Sequence, residues 1–311
     1  MNLTIVSWNV NGIRSRIFDA KASTECKKNE KRNLQEGSSL YNLIKSEDPD
    51  IICLQETRIS IENSKCFELN GYYSYFNESK LTGARCSNRY SGTCVFTKLK
   101  PIKVEYCIPD YDDEEGRIII MYFDKFVLIN VYTPNSGTNF EKRVVWQDSF
   151  LEFLKSLILT NRVIYSGDMN VSYRPDDVHF NYKKSNSFKK KTENIVGYLP
   201  TERLFIPELL KIQLIDSFLE VNKYKSDFVE NNQPSEFNGF TWWDPRAKKT
   251  ISTETGIGMS TLRYKNIGWR IDYIFVSNNI KVIVSKVLKN IGEEYSPNGS
   301  DHAPIVCTVN F

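Results

Sequence analysis

The chain has only two histidines and, among its seven cysteines, no Cys-x-x-Cys pair. The first shortage gives weight to the placement of His302. The second, with the odd cysteine count, argues against a zinc site or a disulfide framework and for a reducing compartment. No stretch approaches the roughly 18 apolar residues of a membrane helix, and the run Leu3 to Trp8 is too short for a signal core and lacks a basic lead-in. A soluble, intracellular protein of nucleus or cytoplasm, without a membrane partner, is therefore expected. Charge of one sign is also missing: the net charge is +3 over 311 residues, which neither demands nor forbids a polyanionic partner. No Pro, Gly or Ser linker and no tandem repeat divides the sequence.

What is present is a chain with 41% hydrophobic and 25% charged residues, able to bury a large core. β-branched runs recur at Leu3 to Trp8, Ile51 to Leu54, Thr93 to Thr97, Arg117 to Tyr122, Phe126 to Tyr132, Arg162 to Tyr165, Ile271 to Val276 and Pro304 to Val309, and read as strands. Ser38 to Ser46, Phe140 to Leu159 and Thr201 to Lys211 read as helices, the second with Phe150, Leu151, Phe153, Leu154, Leu157 and Ile158 spaced for a buried face. The mixture predicts one α/β domain over residues 1–311. Insertions or loops, basic in character, are expected at 21–36, 181–194 and 244–266, and basic loops beside an anionic substrate can hold phosphates.

Polar residues cluster where the apolar runs stop. Asn9 and Asn11 follow the first run, Glu56 follows Ile51 to Leu54, Asp168 and Asn170 follow Val163 to Gly167, and Asp301-His302 precedes the last run. Each alone reads as a turn or a surface residue. Together, acidic and amide oxygens with one imidazole, carried on strand ends, suit a hard divalent cation.

Six blocks in order carry a more specific signal: Ser7-Trp8-Asn9-Val10-Asn11-Gly12-Ile13-Arg14, Leu54-Gln55-Glu56-Thr57-Arg58, Asn130-Val131-Tyr132-Thr133-Pro134-Asn135, Gly167-Asp168-Met169-Asn170, Gly268-Trp269-Arg270-Ile271-Asp272-Tyr273 and Gly299-Ser300-Asp301-His302. In these the chain resembles the exonuclease III-like apurinic/apyrimidinic (AP) endonucleases of the endonuclease/exonuclease/phosphatase superfamily, over Leu3 to Val309. The resemblance implies a DNase I-like four-layer α/β sandwich of two packed, mixed or mostly antiparallel sheets flanked by helices. It also implies Mg²⁺-dependent hydrolysis, with Mn²⁺ able to substitute, of the phosphodiester 5′ to an abasic site in double-stranded DNA, leaving a 3′-hydroxyl. Some 3′-to-5′ exonuclease or 3′-end-cleaning activity and a monomeric state are expected with it.

By the same resemblance Glu56 binds the metal with Asn11 and Asp301, and Asp168 orients or deprotonates water, held by Asn9 and Asn170. His302 pairs with Asp272 and faces the phosphate, with Tyr132 and Asn135 completing the grip. Trp242, Trp269 and Ile271 form an apolar pocket for a flipped baseless sugar, while Trp243 reads as core. Arg246, Lys248 and Lys249 are expected on backbone phosphates. Thr138 stands where some relatives carry an inserting arginine, the 244–266 excursion is long, and no segment resembles the redox segment of some relatives. The alternatives are a catalytically silent DNA-binding module and another phosphoesterase on the same fold, since metal and histidine machinery alone does not choose the phosphoester.

Overall fold

The computed structural model describes residues 1–17, 32–81, 90–137, 139–179, 195–222, 239–245, 250–251, 259–260, 263, 266–289 and 300–311. The expected insertion at 181–194 lies outside them, as do most of 21–36 and 244–266, Thr138, Arg246, Lys248 and Lys249. Twelve strands make two six-stranded sheets: β1 (Asn2–Asn9), β2 (Ile51–Gln55), β3 (Tyr73–Asn77), β4 (Thr93–Thr97), β5 (Lys103–Glu105), β6 (Ile118–Tyr122), β7 (Val127–Tyr132), β8 (Val163–Asp168), β9 (Leu214–Asp216), β10 (Asp272–Ser277), β11 (Lys281–Val287) and β12 (Ile305–Asn310). The first sheet runs β11-β12-β1-β2-β4-β3, and the second β9-β10-β8-β7-β6-β5. Both are mixed: β1 is parallel to β2 and antiparallel to β12, and β8 is parallel to β7 and antiparallel to β10.

The period of two along each strand builds the layers. Leu3 and Ile5 of β1, Ile51 and Cys53 of β2, Leu128 of β7, Ile164 of β8 and Ile274 and Val276 of β10 meet in one cluster between the sheets. The alternate residues face outward. Val6, Trp8, Ile52, Leu54 and Phe96 pack under α1 (Ser39–Glu47) through Leu40 and Leu43. Ile129, Val131, Val163, Tyr165 and Phe275 pack under α2 (Phe140–Leu157) and α3 (Phe205–Lys211). The order helix, sheet, sheet, helix is the expected four-layer sandwich.

α2 starts where the Asn139 side chain accepts the Lys142 N–H, and it buries Trp146, Phe150, Leu154 and Leu157. Leu151, Phe153 and Ile158 of the expected face are only partly buried at its margin. The helix expected over Thr201 to Lys211 is two, Pro200–Arg203 and Phe205–Lys211. Pro207 has no N–H for an i−4 bond, so it is tolerated in the first turn of α3 and not inside a continuous helix.

The eight expected strands are all present. Within the two six-stranded sheets the four strands that the run pattern missed, β3, β5, β9 and β11, are the edges; it also missed two short two-stranded pairs, Arg32–Asn33 with Phe67–Glu68 and Thr250–Ile251 with Met259–Ser260. Three of these edges bury little, as in Lys281-Val-Ile-Val-Ser-Lys-Val287, and the fourth, β9, is buried but only three residues long, so the hydrophobic signal is weak there.

Candidate active site

The row of residues facing the other sheet changes character at one end of the sandwich. On β1 it reads Leu3, Ile5, Ser7, Asn9; on β2 Ile51, Cys53, Gln55; on β7 Leu128, Asn130, Tyr132; on β8 Ile164, Ser166, Asp168. β10 runs the other way and contributes Asp272 at its start, opposite Asp168. The apolar interlayer therefore ends in a polar rim, and the rim is the candidate site.

Buried amides bridge the two sheets beneath it. Gln55 Nε2 donates to Asn130 Oδ1 at 2.7 Å and to Ser7 Oγ at 3.0 Å, and Asn130 Nδ2 donates to the carbonyls of Leu54 and Cys94. Polar side chains at this depth hold position by hydrogen bonding, because leaving any of them unpaired costs about 1–3 kcal/mol.

Above that layer Asn9 Nδ2 donates both to Asp168 Oδ2 at 2.9 Å and to Glu56 Oε1 at 3.0 Å, joining a carboxylate from each sheet. Asp168 is 1% exposed, and its other oxygen accepts the Asn170 N–H at 2.8 Å. Gly167 makes the approach of β8 to β7 possible: its φ is +142°, and a Cβ there would sit 1.9 Å from the Val131 carbonyl oxygen. Asn170, with φ +50°, turns its amide to the Thr133 carbonyl at 2.8 Å, and Asn135 reaches Asn170 at 3.5 Å.

His302 closes the centre. Its Nδ1 lies 2.8 Å from Asp272 Oδ2, and its Nε2 faces Asp168 at 3.8 Å. Burial disfavours the imidazolium, but Asp272 and Asp168 outweigh it and raise the His302 pKa to about 10. Burial first, then repulsion from Asp272, lifts the Asp168 pKa to about 7. The ring is thus a charged donor at neutral pH, and the adjacent carboxylate is poised to take a proton.

A second carboxylate stands beside this centre. Asp301 accepts Asn11 Nδ2 on Oδ1 at 2.9 Å and the Trp242 indole N–H on Oδ2 at 3.0 Å. Burial opposes its charge, yet His302 and these two donors hold its pKa below the usual value. Ser300 ties the turn down, donating to the Asn9 carbonyl at 2.6 Å and accepting the His302 N–H at 3.1 Å. Glu56, with φ +51°, is gripped from outside by Arg58. The Tyr132 hydroxyl bonds to Glu56; burial, then Glu56, keeps that phenol protonated well above its usual range.

The donors Glu56, Asp301, Asn9 and Asn11 are linked through one hydrogen-bond chain, in which the Asn11 N–H also bonds Asn9 Oδ1 at 3.1 Å. A set made only of carboxylate and amide oxygens fits a hard divalent cation. Asp168, Asp272 and His302 also come within 4.8 Å of one another. There the imidazole is committed to Asp272, whereas the Glu56 and Asp301 side offers only carboxylate and amide oxygens.

Trp242, Trp269 and Ile271 are neighbours, with Val178, Ile195 and Tyr198 around them. The rings of Trp242 and Trp269 meet edge to face at 6.0 Å, with Trp269 4% exposed and Trp242 half-buried beside Asp301. Trp243 is buried core, as expected. Sequence reasoning missed three supports. Arg117 lies 4.4 Å over the Tyr132 ring, and Thr241 Oγ1 accepts the N–H groups of Ile271 and Asp272 at 3.1 Å. Arg270 bonds Asp177 at 2.9 Å and Asp216 at 2.6 Å, anchoring the strand that carries Asp272. The partners are far apart in the chain, so no local pattern announces them.

The sequence family described as "Endonuclease/Exonuclease/phosphatase family" matches residues 6–302. An exodeoxyribonuclease of Bacillus subtilis (strain 168) is 29% identical over 99% of this chain and 100% of its own. A DNA-(apurinic or apyrimidinic site) endonuclease of Dictyostelium discoideum is 30% identical over 99% of this chain and 71% of its own. Among solved structures, the AP endonuclease LMAP from Leishmania major superposes with a TM-score of 0.71 at 22% identity, covering 100% of this chain and 88% of that one.

Proposed function

This chain belongs to the endonuclease/exonuclease/phosphatase family, on its exonuclease III-like side, and we propose that it is a DNA-repair AP endonuclease acting with Mg²⁺ on the phosphodiester 5′ to an abasic site. The observation that carries the reading is the buried Asp168–His302–Asp272 row set beside the Glu56–Asp301 oxygen cluster and the Trp242–Trp269–Ile271 patch. In this reading a proton acceptor, a cationic donor, an oxygen-rich metal site and an apolar cluster share one rim, which would serve phosphodiester hydrolysis at a baseless sugar. We treat residues 1–311 as a single monomeric catalytic unit.

Asp168 takes the proton of the attacking water, with Asn9 and Asn170 fixing its two oxygens. His302, oriented by Asp272, presents Nε2–H to a phosphate oxygen as negative charge grows, which is worth most in a site this dry. Tyr132 and Asn135 hold the remaining phosphate oxygens. Water adds to phosphorus as its proton passes to Asp168, the bond to O3′ breaks, O3′ takes a proton from solvent, and the products are a 3′-hydroxyl and a 5′-phosphate on the baseless sugar. Glu56, Asn11 and Asp301 would hold the cation, which when bound neutralises charge on the scissile phosphate. The recess around Trp269 accepts a sugar without a base, and extrusion is least costly there because nothing is stacked or paired.

The test is cleavage of an end-labelled duplex carrying one tetrahydrofuran abasic analogue, beside an intact duplex, with Mg²⁺ or EDTA and with Asp168→Asn as control. One Mg²⁺-dependent cut immediately 5′ to the analogue supports the reading. Stepwise shortening of both duplexes from 3′ ends, without that cut, replaces it with an exonuclease. Binding without cutting would leave a silent DNA-binding module.

A further inference from the structure

Trp242 does two things at once. Its ring packs edge to face on Trp269 in the apolar cluster proposed above as the sugar recess, and its indole N–H donates to Asp301 Oδ2 at 3.0 Å. The other oxygen of that carboxylate takes Asn11 at 2.9 Å, so each oxygen of Asp301 is oriented by a side-chain donor and keeps a lone pair free of those two bonds. The backbone repeats the link. Trp242 exchanges N–H and carbonyl bonds with Trp269 at 2.9 Å in each direction, Trp243 N–H reaches the Asp301 carbonyl at 3.1 Å, and Ala303 N–H reaches the Thr241 carbonyl at 2.7 Å. Residues 241–243 are therefore a strap laid between the recess wall and the turn that carries Asp301 and His302.

We infer that Trp242 is a positioning residue for the metal site, holding Asp301 through its indole N–H, so that occupation of the recess and occupation of the cation site are coupled through one side chain. The inference rests on the proposed function for the identity of the recess, though not for the hydrogen bond. An aromatic ring without an N–H would serve the recess equally well; the N–H calls for a separate explanation. Holding an anionic ligand oxygen in place lowers the ordering cost of binding a cation, and removal of such supporting partners costs about 10–100-fold in metal affinity. Trp242 is half-buried, so the lower end applies, about tenfold. Coupling is reciprocal: a ligand that fixes Trp242 in the recess tightens the cation by the same factor that the cation tightens the ligand.

The experiment separates ring from N–H with Trp242→Phe and removes both with Trp242→Leu, using the full chain and Asp301→Asn as reference. Mn²⁺ affinity is read by electron paramagnetic resonance without DNA, then with the tetrahydrofuran duplex, and duplex selectivity is read by fluorescence anisotropy in EDTA. Matched circular dichroism spectra and melting temperatures establish that the variants fold. The expected result is that Trp242→Phe weakens Mn²⁺ about tenfold, more than it changes duplex selectivity, and abolishes the tightening of Mn²⁺ by the duplex. Trp242→Leu then loses both properties. Mn²⁺ affinity unchanged in Trp242→Phe, or unchanged in Asp301→Asn, overturns the inference. A wild-type protein that binds Mn²⁺ through Asp301 but cuts no abasic duplex would instead fail the proposed function, and the Mn²⁺ affinity of Trp242→Phe would still decide whether the hydrogen bond holds the metal site.

Discussion

Two buried cations in this molecule each stand between two aspartates, and they have opposite uses. Arg270 bonds Asp177 at 2.9 Å and Asp216 at 2.6 Å, with all three side chains 5% exposed or less. His302 bonds Asp272 at 2.8 Å but stops 3.8 Å short of Asp168, and Asp272 Oδ1 has no hydrogen-bond partner among the described residues. The guanidinium is permanently charged and holds one carboxylate on Nε and another on Nη2, so its cluster is a structural clamp. The imidazole can change charge, and at 3.8 Å its second partner is too far for a hydrogen bond, so Nε2–H is not committed to that carboxylate. The clamp and the centre sit two residues apart on one backbone, Arg270 and Asp272, so the clamp anchors the start of the strand that carries Asp272.

If the comparison is right, damage to the centre shows in rate and damage to the clamp shows in stability. Asp168→Asn should cut the abasic duplex ~10³- to 10⁴-fold more slowly, about 4–5 kcal/mol in barrier, with a melting temperature equal to or above wild type. Loss of melting temperature with little loss of rate would erase the distinction. Arg270→Met leaves two buried carboxylates uncompensated and should cost about 3–5 kcal/mol in urea unfolding, while the rate per folded molecule falls much less than in Asp168→Asn.

The two clusters should also differ in their response to pH. The folded-state pKa of His302, about 10, lies above its unfolded value, so its stabilising contribution is complete below about 6.5 and is lost as pH rises toward 10. Asp168 is raised as well, to about 7, so the folded state also binds the extra proton between roughly 4 and 7 and loses stability across that window as pH increases. Metal-free unfolding of His302→Gln, compared with wild type from pH 6.5 to 10, should therefore show a stability difference that shrinks with rising pH. A constant difference would mean that His302 is not protonated in the fold. Arg270→Met should show no such trend in this range. The smallest effect concerns the rim: Glu56→Gln should raise the Mg²⁺ concentration for half-maximal cutting several-fold with a smaller change at saturation. A fall in saturated rate alone would move Glu56 out of the metal site.

The difference between the clusters also explains what could be read from the sequence. Strands with both faces buried were legible because apolar β-branched runs announce them, and the edge strands were not, since three of them are largely open to water and β9 is only three residues long. Asn9, Glu56, Asp168 and His302 were legible as polar residues ending or preceding such runs, and the ordered blocks named their chemistry. The resemblance supplied two partnerships, Asn9 with Asp168 and His302 with Asp272; the supporting ones were not legible. Trp242 meets Asp301 across 59 residues, and Arg270 meets Asp177 across 93. Those pairings are products of sheet packing, which a single sequence does not display. Arg270 lies inside one of the six blocks yet its role was hidden, because an arginine beside a strand reads as surface until the fold buries it.

The most direct measurement is single-turnover cleavage of a duplex containing a natural abasic site in ¹⁸O-labelled water with Mg²⁺, both ends being analysed by mass spectrometry. Hydrolysis by the Asp168–His302 centre predicts one ¹⁸O on the 5′-phosphate of the baseless sugar and an unlabelled 3′-hydroxyl, with both products lost in Asp168→Asn. An unsaturated aldehyde end without label, or label on a 3′-phosphate, would contradict hydrolysis at the 5′ side by that centre.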